Sequence, residues 1–162
     1  RRPDLTYATP DHAISSAPGR TADTNPAGGG LLREMRRQCS RAGIRVFDLG
    51  EPGQGIVHVI GPELGITQPG MLIVCADSHT CTHGGLGALA WGIGASEATH
   101  VLATQTIRQV RPRTMRVHLA GVPAPDTTAK DLVLFAIATL GVAAGRGHAV
   151  EWAGPVVRRA SV

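Results

Sequence analysis

The sequence has few aromatic residues and almost no lysine, which narrows the classes of protein it can represent. Phe, Trp and Tyr make up 3% of the 162 residues, and Lys130 is the only lysine among 16 basic residues, for a net charge of +4. Proteins that hold single-stranded nucleic acids stack bases on aromatic side chains, and the chain carries no nucleic-acid motif. We therefore expect no nucleic-acid partner and a core built from Val, Leu, Ile and Ala.

Long apolar runs and paired cysteines are also lacking. No run of about 18 apolar residues occurs, so no membrane association is expected. Cys39, Cys75 and Cys81 include no Cys-x-x-Cys pair, which gives neither a zinc nor a disulfide signature. We expect Cys39 and Cys75 to be small core residues and the protein to be cytoplasmic, where thiols stay reduced. The opening Arg1-Arg2-Pro3, with neither methionine nor a signal peptide, indicates a fragment.

Helix-type and strand-type patterns alternate along the chain, separated by many of its 21 glycines and 11 prolines. This alternation predicts an α/β fold with a largely parallel sheet, in one domain spanning residues 1–162. The predicted strands cover 5–8, 44–49, 71–75, 115–119 and 149–152. The predicted helices cover 31–42, 92–107 and 129–140, with loops at 17–30, 50–55 and 61–70.

The stretch 71–87 carries the strongest indication of a functional site. A short buried strand is predicted at 71–75, and Asp77, Ser78 and His79 follow it before a group of glycines. In α/β proteins, chemistry is placed at the carboxyl ends of strands. These three residues supply an acceptor, a hydroxyl and a proton-transfer group. A polar turn, with Asp77 and Ser78 bonded to nearby backbone N–H groups, explains the same residues equally well.

Two other histidines give weaker indications. Asp11 and His12 follow the predicted strand at 5–8, but an Asp beside a His is common by chance. His58 is flanked by β-branched residues at positions 56, 57, 59 and 60. Its pattern alone favours a buried core histidine over a site residue.

Taken together, the motifs resemble the aconitase superfamily and, within it, the isopropylmalate dehydratase family of large subunits. The similarity covers nearly the whole chain in order. The matching segments include Gly55-Ile56-Val57-His58-Val59-Ile60-Gly61-Pro62-Glu63, Asp11-His12, Asp77-Ser78-His79-Thr80, Thr82-His83-Gly84, Ser96-Glu97 and Thr128-Ala129-Lys130-Asp131.

The resemblance implies a fold, a reaction and a cofactor. The fold is a three-layer α/β/α domain of the aconitase type. The reaction is a hydro-lyase interconversion of 2-isopropylmalate and 3-isopropylmalate in leucine biosynthesis. A [4Fe–4S] cluster with one open iron acts as the Lewis acid on the substrate. The implied partners are a small subunit, with which the large subunit forms a heterodimer, and a small 2-hydroxy-dicarboxylate substrate.

The resemblance also implies roles for particular side chains. Asp11 orients His12, and this pair helps to protonate the departing hydroxyl. His58 pairs with Asp77 near the cluster and presents its other nitrogen to water or substrate. Each Asp fixes the tautomer of its histidine.

Two neighbouring residues complete the implied site. Ser78 hydrogen-bonds a substrate carboxylate, and His79 belongs to the same polar network. The other histidines are interpreted as structural: His83, His100, His118 and His148.

The chain departs from the family pattern at several points. Its three cysteines do not match the cluster ligands, which are expected in segments that this chain does not contain, so no metal ligand is predicted here. Arg146 stands where Thr is usual, and Pro10 where Met precedes the Asp-His pair. We therefore interpret the chain as an amino-terminal segment of a large subunit, inactive by itself.

Three alternatives remain open. Homoaconitase and methylmalate-type dehydratases share the same motifs. A noncatalytic truncated domain, which only folds or binds a partner, belongs to another class. A zinc hydrolase built on His58, His79 and His83 is a distant third, because no helical His-x-x-x-His or cysteine pair supports it.

Overall fold

The computed structural model describes residues 2–160, and the chain divides into two compact units, Arg1–Ile107 and Arg108–Val162. All the strand pairs formed by the described residues are parallel. Helices alternate with these strands, so the predicted α/β class is confirmed. The three-layer arrangement and the assignment of 1–162 to a single domain stay predictions.

The first unit holds two small parallel sheets, in which β1 pairs with β2 and β3 with β4. Two 3-10 helices, Pro3–Leu5 and Thr80–Leu86, also belong to this unit. Its strands and α-helices in chain order are β1 (Tyr7–Ala8), α1 (Pro26–Ala42), β2 (Arg45–Val46), α2 (Val57–Glu63), β3 (Leu72–Cys75), β4 (Leu89–Gly92) and α3 (Ala95–Thr104).

Helix α1 confirms the predicted helix at 31–42 but begins earlier, at Pro26. The side chain of Asn25 accepts a hydrogen bond from the N–H of Gly28, and proline is favoured in the first turn because its missing N–H needs no partner. The helix ends as predicted at Gly43, which adopts a left-handed φ of 70°. The predicted loop at 17–30 is therefore wrong from residue 26 onward.

Two further predicted boundaries are wrong. The predicted loop at 61–70 overlaps α2, which continues to Glu63. The predicted helix at 92–107 starts only at Ala95, because Gly92 still pairs with Cys75 in the sheet. The strands predicted at 5–8 and 44–49 shorten to two paired residues each.

The second unit is described by itself and contains one parallel pair of strands with two helices. Its elements are β5 (Arg113–His118), α4 (Ala129–Leu140), β6 (His148–Ala153) and α5 (Pro155–Arg159). Thr128 and Asp131 exchange hydrogen bonds at the start of α4, which forms as predicted. The strands predicted at 115–119 and 149–152 are confirmed with small shifts.

Strand β3 is present as predicted but is not buried. Leu72 of β3 and Leu89 of β4 are paired across the sheet, and they are 60% and 57% exposed. Cys39 is buried as predicted, whereas Cys75 is only half-buried. None of the helices formed by residues 2–160 has the length and apolar character needed to cross a membrane.

Candidate active site

The loop after β3 is held against the end of β4, which positions Asp77. The hydroxyl of Thr80 donates a 2.6 Å hydrogen bond to the backbone carbonyl of Asp77. A Cβ atom on Gly92 would lie 2.4 Å from the same carbonyl oxygen, far inside contact distance. Only glycine at the end of β4 therefore allows this loop to approach so closely.

Asp77 is the centre of the site. One of its carboxylate oxygens accepts hydrogen bonds from His58 Nε2 at 2.9 Å and from the backbone N–H of His79 at 2.7 Å. The hydrogen bond from His58, and then that from His79, lowers the pKa of Asp77 to about 2. Asp77 thus binds a backbone N–H, as the turn interpretation expects, and an imidazole at the same time.

His12 lies between two carboxylates. Its Nδ1 is 2.7 Å from an oxygen of Asp11, and its Nε2 is 3.5 Å from the second oxygen of Asp77. The hydrogen bond to Asp11 and the charge of that carboxylate raise the pKa of His12. Because the His12 side chain is 76% exposed, its proton is accessible from solvent. The other oxygen of Asp11 accepts from the backbone N–H of Val57 at 3.4 Å.

His58 is enclosed, with its side chain only 10% exposed. Its Nε2 faces Asp77, and its Nδ1 lies 3.0 Å from Nε2 of His83. The expectation that His58 presents its second nitrogen to water or substrate is therefore wrong, because that nitrogen already has a partner inside the protein.

His83, which the sequence left as structural, is the residue that sequence reasoning missed. It is buried, and its Nδ1 lies 3.0 Å from the hydroxyl of Thr67. Burial, and then the charge of His58, lowers the pKa of His83, which favours its neutral form. Thr82-His83-Gly84 is one of the segments that carry the resemblance, but nothing in its pattern distinguishes a network residue from a packing one.

Ser78 and His79 form the exposed edge of the site. The ring Nδ1 of His79 is 3.5 Å from Asp77 and 3.3 Å from the hydroxyl of Ser78. The His79 side chain is 84% exposed. The structure thus brings together all six residues predicted for the site, while their catalytic roles stay predictions.

Three of these residues also place potential ligand atoms close together. One atom from each of Asp11, His12 and Asp77 lies within 4.8 Å of the others. Both nitrogens of His12 already face these carboxylates, through a hydrogen bond to Asp11 and a 3.5 Å ion-pair contact with Asp77. No second group of this kind occurs within 2–160, so the histidines of the zinc alternative do not assemble a site there.

A [4Fe–4S] cluster, which the resemblance implies, is held by cysteine thiolates. Cys39 is buried in α1, Cys75 ends β3 and Cys81 is exposed in the 3-10 helix. Burial raises the pKa of the Cys75 thiol, which disfavours a thiolate. Across 2–160, no three thiols converge. The described residues therefore do not fit the ligand set of a cluster.

Comparison with known proteins defines the class. The model of the aconitase family (aconitate hydratase) matches residues 1–162. The chain belongs to this family, which confirms the resemblance inferred from its motifs.

Individual relatives of the chain indicate a narrower class of protein than the family does. The chain is 64% identical over 156 residues to the 3-isopropylmalate dehydratase large subunit 1 of Bradyrhizobium diazoefficiens, covering 96% of this chain and 32% of that protein. It is 49% identical over 166 residues to the 3-isopropylmalate dehydratase large subunit of Anaeromyxobacter dehalogenans, covering 100% of this chain and 35% of that protein. The chain thus spans about a third of the length of these relatives.

Proposed function

We propose that this chain is a segment of a 3-isopropylmalate dehydratase large subunit. The complete enzyme is a hydro-lyase that interconverts 2-isopropylmalate and 3-isopropylmalate in leucine biosynthesis. The names of the two relatives support this activity. The observation that carries the proposal is the exposed His12, held between the carboxylates of Asp11 and Asp77.

The chemistry of dehydration explains why this arrangement is useful. A hydroxide is a poor leaving group, and a positioned acid lowers the barrier by protonating it. Asp11 holds His12 through Nδ1 and raises its pKa, so the imidazole stays protonated to higher pH. The proton on Nε2 is the one that His12 delivers. Asp77 lies 3.5 Å from this nitrogen, and its negative charge stabilises the protonated imidazole.

The exposed edge of the site is suited to substrate binding. Ser78 and His79 carry a hydroxyl and an imidazole that reach solvent beside Asp77. We assign Ser78 to a carboxylate of the 2-hydroxy-dicarboxylate substrate and His79 to the surrounding polar network. His58 holds Asp77 from the inner side.

The complete enzyme needs components that residues 2–160 do not supply. We propose that a [4Fe–4S] cluster, bound by cysteines elsewhere in the large subunit, provides Lewis acidity toward the substrate. A small subunit completes the heterodimer, and the enzyme works in the cytoplasm without nucleic-acid or membrane partners.

The test uses the complete large subunit carrying this segment, co-expressed with its small subunit and reconstituted anaerobically with iron and sulfide. We expect the complex to turn over 2-isopropylmalate. His12→Gln should abolish this turnover, whereas the exposed control His100→Gln should retain it. Preference for homoaconitate-type or methylmalate-type substrates would replace the proposed substrate with one of the alternatives. A well-folded, cluster-loaded complex with no dehydratase activity would favour the noncatalytic domain.

A further inference from the structure

We infer that His83 is a positioning residue that, together with Thr67, holds His58 in the tautomer that donates its Nε2 proton to Asp77. The inference rests on a continuous chain of contacts on the inner side of the site. The hydroxyl of Thr67 is 3.0 Å from His83 Nδ1, His83 Nε2 is 3.0 Å from His58 Nδ1, and His58 Nε2 is 2.9 Å from Asp77.

The direction of every hydrogen bond in this chain follows from its last member. An ionised carboxylate can only accept, so the proton between His58 and Asp77 belongs to Nε2 of His58. A neutral His58 then has a bare Nδ1, which must accept the N–H of His83 Nε2. His83 in turn has a bare Nδ1, which accepts the hydroxyl proton of Thr67. With His58 neutral, only this arrangement of protons satisfies all three contacts.

The packing around His83 holds this geometry in place. His83 is 2% exposed, and its ring meets that of His58 edge-on, with centroids 5.1 Å apart. Helix α2 approaches closely at Gly61, where a Cβ would lie 2.8 Å from the Thr67 hydroxyl and 3.2 Å from His83 Cε1. The bare backbone of Gly61 thus leaves space for the two side chains that complete the chain.

The consequence concerns the tautomer of His58. A neutral His58 with its proton on Nδ1 would set that N–H against the N–H of His83 and would leave Asp77 without a donor from this ring. The N–H of His83 therefore matches the tautomer of His58 that donates to Asp77. The titratable groups facing His58 are Asp77 and His83, and Asp77 in turn faces His12 and His79.

The direct test reads the tautomers by long-range ¹H–¹⁵N correlation spectra of the complete, histidine-labelled large subunit. Assignment uses the variants His58→Gln and His83→Gln. We expect the Nε2-protonated tautomer for both His58 and His83. A proton on Nδ1 of either ring would overturn the inference. This measurement does not depend on turnover, so its outcome is separate from that of the proposed function.

A kinetic test, which rests on the proposed function, compares two substitutions of His83 in the complete enzyme. His83→Leu fills the space but removes the donor, whereas His83→Gln keeps an N–H donor toward His58. We expect His83→Leu to lower kcat roughly 10-fold or more.

His83→Gln should recover most of the rate, because its side-chain N–H can still donate toward His58. The control is His100→Leu, which removes an exposed histidine whose Nε2 lies 3.3 Å from the Thr106 hydroxyl, and it should leave kcat unchanged. Equal losses of kcat in His83→Leu and His83→Gln would mean that His83 only packs. If His83→Leu fails to fold, His83→Gln and the wild-type spectra still decide the question.

Discussion

Asp11 and Asp77 are carboxylates of similar exposure that act on the site in different ways. Their side chains are 14% and 13% exposed. Asp77 collects donors from His58 and His79, which lowers its pKa to about 2 and makes it a fixed negative charge. Asp11 divides its oxygens between His12 and the backbone N–H of Val57. Asp77 therefore holds its neighbours as a fixed charge, whereas Asp11 raises the pKa of the exposed His12.

Asp77→Asn in the complete enzyme should lower kcat strongly while leaving fold and iron content unchanged. The asparagine amide is nearly isosteric with the carboxylate, so packing is kept. The substitution removes the negative charge that His12 faces. It also replaces one of the two acceptor oxygens of the group to which His58 and His79 donate. Steady-state kinetics, iron analysis and the melting temperature check this. Asp23→Asn, which removes an exposed partner of Arg33, is the matched control.

Asp77→Asn should also change how the stability of the protein depends on pH in the acid range. A carboxyl whose pKa is lowered from 3.8 to about 2 on folding stabilises the protein above the higher value, and this stability is lost as pH falls toward the lower one. The melting temperature of the wild type should therefore fall more steeply than that of Asp77→Asn between these pH values. Near-normal turnover with a reduced melting temperature at neutral pH would mean that Asp77 only supports its turn.

Asp11→Asn should move the basic limb of the kcat profile to lower pH. Asp11 raises the pKa of His12, so its loss lets the imidazole deprotonate earlier and shortens the range in which it can act as an acid. The measurement is kcat against pH, again with Asp23→Asn as control. A general loss of rate without a shifted limb would contradict the role of His12 as the proton donor.

At the scale of elements, the site depends on two close backbone approaches. Gly92 at the end of β4 admits the Asp77 loop, and Gly61 in α2 admits Thr67 and His83. Helix α2 itself begins under Asp11, which accepts the N–H of Val57 at 3.4 Å. Acceptors at a helix N-terminus satisfy backbone N–H groups that have no partner within the helix. The elements and the site residues thus hold each other in position.

Gly92→Ala should damage the site more than the fold. The new Cβ would meet the Asp77 carbonyl at 2.4 Å, so the loop must move away and take the carboxylate with it. We expect a large loss of kcat and a destabilisation of about 1 to 3 kcal/mol, typical of overpacking. Denaturant unfolding and kinetics measure both effects.

The control for this substitution is Gly30→Ala in α1, where a Cβ meets no atom within 4 Å. Because Ala is the better helix former, stability should stay equal or rise slightly. If Gly92→Ala behaved like this control, Asp77 would not depend on the close approach.

At the scale of the whole molecule, the chain carries large apolar side chains that its own contacts do not cover. Leu72 and Leu89 face solvent side by side on the sheet formed by β3 and β4 in the first unit. In the second unit, Leu134 and Phe135 of α4 are exposed as well. Apolar patches of this kind mark surfaces that pack against other protein. They are consistent with a chain that spans about a third of the length of its relatives, 32% and 35%.

The isolated segment should therefore associate in solution and show no turnover of isopropylmalate. Size-exclusion chromatography with light scattering tests the first part, and an activity assay tests the second. Leu72→Lys combined with Leu89→Glu should reduce association, because opposite charges pair across the strands and disfavour an apolar contact. A monomeric wild-type segment that turns over isopropylmalate would contradict both expectations.

Local sequence patterns predicted those helices and strands that are determined by residues close together in the sequence. Helix α4 carries a complete capping box in Thr128 and Asp131, and β3 follows from its run of apolar residues. The Asp-His and Asp-Ser-His motifs were likewise visible in the sequence, together with the family that they imply. These features could be predicted because their partners lie within a few residues.

Only the tertiary structure decided the rest. The N–H of Val57 in α2 finds its acceptor in Asp11, 46 residues away, and this distant partner supports a helix start among β-branched residues that a local pattern does not predict. His83 reaches His58 across 25 residues, and a histidine surrounded by threonine and glycine gives no sign of that contact. Hydrogen bonds between distant segments depend on how the strands and helices pack. They therefore cannot be predicted from the periodicity of the sequence.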